Sequence, residues 1–246
     1  LDAAGGKDKV VADLKAAAEG GKLNGVKGFG PKTVAALLRD IDAAATRDRR
    51  TLLSEALRAA ESLLGALRAA SPAVGEAAYT GSLRRGRETI GDIDLLAATS
   101  DPAATVQAFT SLPLVARVES SGAEKATVFL HNGLQADLLA LDPAMWGSAL
   151  QHFTGGKAHN IRFREIALAQ GLSFSEHGFK RADGSLLLCA TEEQVYAAVG
   201  LPWIPPEIRE NAGEFEAAAA GRVPRLVELG DIRADLHMHS DWSDGK

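Results

Sequence analysis

The chain has 246 residues, of which 46% are apolar, and a formal net charge of −5 with a single cysteine. That length and apolar content suit one large or two to three small packed domains. The lone Cys189 excludes an internal disulfide, and the acidic balance excludes nucleic-acid binding through bulk positive charge, leaving only a locally basic face for it. Cys189 follows Leu186-Leu187-Leu188 and reads as a buried, inert thiol. No stretch is apolar enough for a membrane span or a signal peptide, so a cytoplasmic monomer without membrane association is expected. The start at Leu1 and the stop at Lys246 read as those of a fragment.

Residues from about Lys7 to Ala70 read as helical. Val10, Val11 and Leu14 open an apolar stripe, and Leu52, Leu53, Leu57, Leu63, Leu64 and Leu67 carry a second one. Between them lies Asn24-Gly25-Val26-Lys27-Gly28-Phe29-Gly30-Pro31-Lys32-Thr33. Pro31 suits the first turn of a helix. Gly28 and Gly30 permit a tight hairpin with outward N–H groups. The pattern resembles a helix-hairpin-helix, in which Lys27 and Lys32 would meet DNA backbone phosphates without reading bases. A plain glycine-rich connection between packing helices also fits.

From Ala73 the pattern changes to strands: Ala77–Thr80, Ile93–Ala98, Leu114–Glu119, Lys125–Leu130 and Leu134–Leu141. His131-Asn132-Gly133 should join the last two as a hairpin. Asp101–Thr110 reads as a capped helix. The result is an α+β region with a largely antiparallel sheet.

This region holds the most informative residues, Gly81-Ser82-Leu83-Arg84-Arg85-Gly86 and, shortly after, Gly91-Asp92-Ile93-Asp94. On a strand, Asp92 and Asp94 project from one face while Ile93 and Leu95 face a core. Two adjacent carboxylates repel and favour a cation, and oxygen ligands of this kind suit Mg²⁺. Gly81 lets the backbone approach a ligand, Ser82 adds a hydroxyl, and Arg84, Arg85 and Arg87 supply positive charge suited to phosphate. Either half alone also fits a polar loop or an edge strand with a solvated acid pair. Together they make the two parts that nucleotidyl transfer requires. Asp137 is the only acid in the apolar run Leu134–Leu141, where a charge is expensive unless it is paired or bound to metal. An exposed place on an edge strand is the alternative for it.

The spaced motif Gly-Ser-x-Arg-Arg-Gly…Gly-Asp-Ile-Asp resembles the signature of family X DNA polymerases, in particular the bacterial type with a C-terminal polymerase-and-histidinol-phosphatase (PHP) domain. The resemblance runs over nearly the whole chain. It implies a helix-hairpin-helix subdomain at 1–70, a nucleotidyltransferase palm at 71–151, a small α/β thumb at 152–210, and a linker with the start of a PHP domain at 211–246. It gives Asp92, Asp94 and Asp137 the role of catalytic metal ligands for Mg²⁺ or Mn²⁺. Gly81, Ser82, Arg85 and Gly91 would contact the triphosphate. His152-Phe153-Thr154-Gly155-Gly156 resembles the family's Tyr-Phe-Thr-Gly-Ser segment, with His152, Phe153 and Gly155 under the nucleotide sugar. Asn160 would reach the base and Arg164 the template strand. Gln135 stands where the best-studied members have Arg, His152 replaces Tyr and Gly156 replaces Ser.

Leu172–His177 and Leu186–Cys189 read as short strands around Ala182-Asp183-Gly184, and Thr191 caps a helix running to Val199 with Glu192 and Glu193 in its first turn. Leu201–Arg209 is Pro-rich and extended, with Trp203 assigned to packing. Residues 211–228 mix a short Ala-rich helix with Pro224 and read as a linker. Asp235-Leu236-His237-Met238-His239-Ser240 resembles the opening PHP motif, in which His237 and His239 would bind Zn²⁺ or Mn²⁺ within a site whose other ligands lie elsewhere. The expected activity is template-directed addition of dNTPs to a DNA primer in short-gap repair, with DNA and dNTP as partners and neither lyase nor phosphoesterase chemistry. A nucleotidyltransferase acting on RNA ends or a small molecule, and a catalytically weak DNA-binding module, are the alternatives.

Overall fold

A computed structural model describes residues 3–23, 26, 28–31, 33–35, 37–38, 41, 50–239 and 242. Helix α1 (Ala3–Glu19) leads into a turn in which Gly28 adopts φ +97° and the Phe29 N–H donates to Val26 O at 3.0 Å. The described residues from 31 to 41 are helical, and Gly28 and Gly30 are exposed. Asn24, Gly25, Lys27, Lys32 and Ser240 lie outside the described residues. Among the described residues, no helix is long and apolar enough to cross a membrane.

The long helical region expected up to Ala70 is interrupted. Thr51–Leu52 forms strand β1 before helix α2 (Leu53–Ala70), and it pairs antiparallel with β3 (Thr89–Ile90). The Arg50 side chain reinforces the join by donating to Thr89 Oγ1 at 2.7 Å and to the Thr89 carbonyl. A two-residue strand set by so distant a partner leaves no local periodicity to read.

The main sheet has the order β2-β4-β7-β6-β5, formed by Val74–Tyr79, Asp92–Thr99, Gln135–Leu141, Lys125–Leu130 and Val115–Ser121. Only the β4–β7 pair is parallel; the others are antiparallel. Strand alternation divides its residues between two cores. Ile93, Leu95 and Ala97 of β4 join Ala136, Leu138 and Ala140 of β7 against Leu63 and Leu67 of α2 and Phe109 of α4 (Pro102–Thr110). Asp101 caps α4 by accepting from the Ala104 N–H at 3.0 Å. On the opposite face, Leu96, Ala98 and Leu141 pack with Trp146 and Ala149 of α5 (Trp146–Thr154). The aspartates lie at the open end of this second face. Between β2 and β3 sits the one-turn helix α3 (Gly81–Arg84).

A third core belongs to α6 (Lys157–Ala169), the sheet β10-β9-β8 (Leu186–Leu187, Gly178–Lys180, Ser173–Ser175) and α7 (Glu192–Ala197). It gathers Phe163, Phe174, Phe179, Tyr196, Ile204 and Phe215. The single strand expected over Leu172–His177 is shorter and turns back at once into β9, because Gly178 supplies φ +119°. Cys189 is buried in this core, which raises its thiol pKa. The short Ala-rich helix expected within the linker stretch is α8 (Glu214–Ala219), and it packs, with Phe215 and Ala218 one turn apart on its buried face. Glu214 meets the fully buried His159 at 2.7 Å. Burial pushes His159 down to about 4, so the neutral imidazole donates from Nδ1 to Glu214 and accepts at Nε2 from the Tyr196 hydroxyl, 2.9 Å away.

The two larger parts of the fold meet at Glu192. Its carboxylate accepts from Arg84 at 2.9 and 2.8 Å, from the buried Arg209 at 2.5 Å and from the Trp203 indole at 3.2 Å. Burial opposes ionisation of Glu192, but the hydrogen bonds from Arg84 and Arg209 prevail and hold its pKa at about 2. Glu192→Ala leaves both guanidinium groups without their carboxylate and should cost about 3–5 kcal/mol in urea unfolding at pH 7. Because the folded pKa lies below the ordinary 4.5, this stability is present above that pH and is lost as pH falls toward 2. Acid unfolding of Glu192→Gln should lack that increment.

Candidate active site

The parallel register of β4 and β7 sets Asp92 beside Gln135 and Asp94 beside Asp137. Asp92, Asp94 and Asp137 offer carboxylate oxygens within 4.8 Å of one another, and they are the one such acid or histidine group among the described residues. β7 lies inside the sheet with β4 and β6 on its two sides, so the edge-strand alternative for Asp137 does not apply. Asp137 is held by neutral donors: the Thr127 hydroxyl at 2.5 Å and the Gln135 amide at 2.7 Å. Thr127 escaped the sequence reading, although counting back equally from the turn at Asn132 would have set it opposite Asp137.

Asp94 carries the electrostatic load. Burial, then the charges of Asp92 and Asp137, push its pKa up to about 7, against a smaller opposing pull from Arg85. A divalent cation relieves this repulsion, and hard carboxylate oxygens are the donors such an ion prefers. Gly81 faces the same carboxyl. It has φ +58°, and a Cβ there would lie 2.2 Å from Asp94 Oδ2, so both conformation and space require glycine. The Thr80 N–H donates to Asp94 O at 2.8 Å, fixing the start of the turn to the strand.

The arginines of the turn have separate partners. Arg84 was expected to add charge for phosphate; the structure commits it to Glu192 and to the Thr154 hydroxyl, at 2.7 Å. Arg85 donates through Nε to Glu210 at 2.8 Å and through Nη1 to Thr154 O at 2.8 Å. Arg87 lies 3.7 Å from the same Glu210 oxygen. Ser82 is half-buried within α3. Gly91 immediately precedes the Asp92 strand, and a Cβ there would stand 3.7 Å from Arg50 Nη1.

His152 and Phe153 occupy the last turn of α5, with ring centroids 5.0 Å apart. Burial lowers the His152 pKa despite Glu176 nearby. Phe153 lines one cavity with Asp94, Asp137, Thr80, Thr127 and Lys125. Asn160 is turned inward, donating to His152 O at 2.6 Å and Gly155 O at 3.1 Å. A Cβ on Gly155 would come 2.2 Å from Asn160 Oδ1. Asn160 is half-buried on α6, whereas Arg164 is exposed. Gly28 and Gly30 belong to the N-terminal turn, and His237 and His239 stand in the exposed C-terminal stretch with Nε2 atoms 3.2 Å apart. Glu192, Arg209 and Glu210 were not recognised from sequence as neighbours of the site, since their partners are too far along the chain for spacing to report.

The DNA polymerase beta thumb family model matches residues 149–210. The chain is 37% identical over 235 residues to the DNA polymerase/3'-5' exonuclease PolX of Bacillus subtilis (strain 168), a match that takes in 94% of this chain and 41% of that protein. It is 27% identical over 159 residues to the DNA polymerase lambda of Rattus norvegicus, covering 53% of this chain and 28% of that one. These matches support a bacterial family X DNA polymerase. The chain spans well under half the length of either relative.

Two outcomes follow from the load on Asp94. Its folded pKa exceeds the ordinary 3.8, so the cation-free protein loses stability as pH rises from there to about 7. Asp94→Asn should raise the cation-free melting temperature at pH 8, measured in chelator, while weakening Mn²⁺ binding in calorimetry. Gly81→Ala should do the opposite to stability, costing about 1–3 kcal/mol through backbone strain and displacement of Asp94, read by chemical unfolding.

Proposed function

We propose that this chain is the polymerising part of a DNA-directed DNA polymerase, adding dNTPs to a primer 3′ end and filling short gaps in DNA repair within the cytoplasm. The observation that carries this reading is the register pair Asp94–Asp137, with Asp92 joining them in one carboxylate group. The donor set fits a divalent ion: three hard oxygen ligands, one of which resists ionising beside the other two. Mg²⁺ or Mn²⁺ held by Asp92, Asp94 and Asp137 would supply the Lewis-acid charge neutralisation that phosphoryl transfer needs.

The chain's own groups do the binding and orienting. Ser82, Arg85 and Gly91, with Gly81 clearing the way, contact the triphosphate. The Phe153 ring, with His152 and the bare Gly155 backbone, forms the floor for the sugar, and Asn160 reaches the base by leaving its inward bonds to His152 O and Gly155 O. Arg164, exposed on α6, meets the template strand. The turn at Gly28 and Gly30, with Lys27 and Lys32, holds backbone phosphates some distance from the reaction. In the chemical step the primer 3′ oxygen bonds to the α-phosphorus as the bond from that phosphorus to pyrophosphate breaks. His237 and His239 would hold Zn²⁺ or Mn²⁺ in a PHP region together with ligands from other residues.

The test uses gapped DNA, one labelled dNTP and Mg²⁺ or Mn²⁺. Wild type extends the primer, and Asp92→Ala, Asp94→Ala and Asp137→Ala each lower the rate about a hundredfold or more while DNA binding persists. Wild-type binding without extension, or transfer only to an RNA end or a small hydroxylated acceptor, would overturn the reading.

A further inference from the structure

The third and second arginines of the turn, Arg87 and Arg85, converge on a single thumb carboxylate. Arg85 Nε donates to Glu210 Oε1 at 2.8 Å, and Arg87 Nη1 lies 3.7 Å from that same oxygen. Glu210 follows directly on Arg209, which is locked to Glu192 and whose Nε donates to Ile204 O at 2.8 Å, so the backbone carrying the acid is fixed. The other carboxylate oxygen, Oε2, lies over Gly156, where a Cβ would come within 2.8 Å of it. The family's Tyr-Phe-Thr-Gly-Ser segment has Ser at this position, and a side chain there would crowd Glu210. The turn and the thumb thus form a seat for an anion between two guanidinium groups, and a carboxylate of the protein fills it. Arg85 follows the one-turn helix whose first residue, Gly81, faces Asp94, so this seat adjoins the three-aspartate group.

We propose that Glu210 sets the affinity for the incoming nucleotide, holding Arg85 and Arg87 until the nucleotide's triphosphate competes for them. This rests on the reading of the site as a polymerase centre. Carboxylate and phosphate oxygens accept from the guanidinium fork in the same way, so one displaces the other without rebuilding the turn. Glu210 is 32% exposed, and an ion pair that shares its ions with water is weak enough to exchange. Whatever free energy the pair retains is subtracted from nucleotide binding.

The experiment compares wild type, Glu210→Gln and Glu210→Asp on gapped DNA, reading the KM for dNTP and the inhibition constant of inorganic tripolyphosphate, which has no sugar or base. Glu210→Gln should lower both by roughly fivefold, with the drop shrinking in added salt. Glu210→Asp, which keeps the charge on a shorter arm, should show a smaller drop and serves alone if the Gln variant does not fold. A KM that stays level or rises in the variants overturns the proposal and leaves Glu210 as a support for Arg85. That result would leave the polymerase reading standing, since the latter falls only if wild type fails to extend. In that event, tripolyphosphate binding by calorimetry still decides the role of Glu210.

Discussion

Three carboxylates crowded on one sheet face repel each other, and the backbone ladder between β4 and β7 keeps them there regardless. Parallel pairing fixes Asp94 opposite Asp137, and a slip by one residue would send every side chain of one strand to the wrong face. Such a slip would also drive Ile93, Leu95, Ala136 and Leu138 out of the main core, so packing on one face enforces electrostatic strain on the other. The strain is concentrated at Asp94, which is half-buried, while Asp92 is exposed to water and Asp137, also half-buried, is cushioned by Thr127 and Gln135. A divalent ion would relieve this crowding, and the three carboxylates offer the oxygen ligands that could hold one.

The second organising interaction is ionic and spans the chain. Glu192 ties the arginine turn beside the main sheet to Arg209 in the region matched as a thumb, and Arg84 also reaches the end of α5 through Thr154. The orientation of the arginine turn and that of the end of α5 are therefore one structural variable. Buried charge of this kind contributes little net stability relative to apolar packing, but it admits few alternative geometries.

What could be read from the sequence was what is local or periodic. The alternation in β4 announced paired aspartates, the turn at Asn132-Gly133 announced the β6–β7 hairpin, and Asp101 and Thr191 announced their helices as caps. The resemblance to a family signature supplied Asp137. Long-range features stayed hidden. Nothing near Glu192 indicates that Arg84, far back in the chain, is its partner, and nothing in the Ala-rich run after Gly213 indicates that Phe215 completes a core. Nothing beside His159 in the chain indicates its burial, which depends on Glu214 and Tyr196 arriving from other elements. Gly156 read as a lost hydroxyl, whereas in space it is room granted to Glu210.

The lid that α8 places on the third core bears on where this unit can be cut. The matched thumb region closes at residue 210, yet Glu214, Phe215 and Ala218 seal the pocket around His159 just beyond it. A chain severed at that boundary would uncover an imidazole and an aromatic cluster to solvent. The packed core thus extends past the matched region, and any transplant of this thumb into another scaffold must carry its trailing helix along.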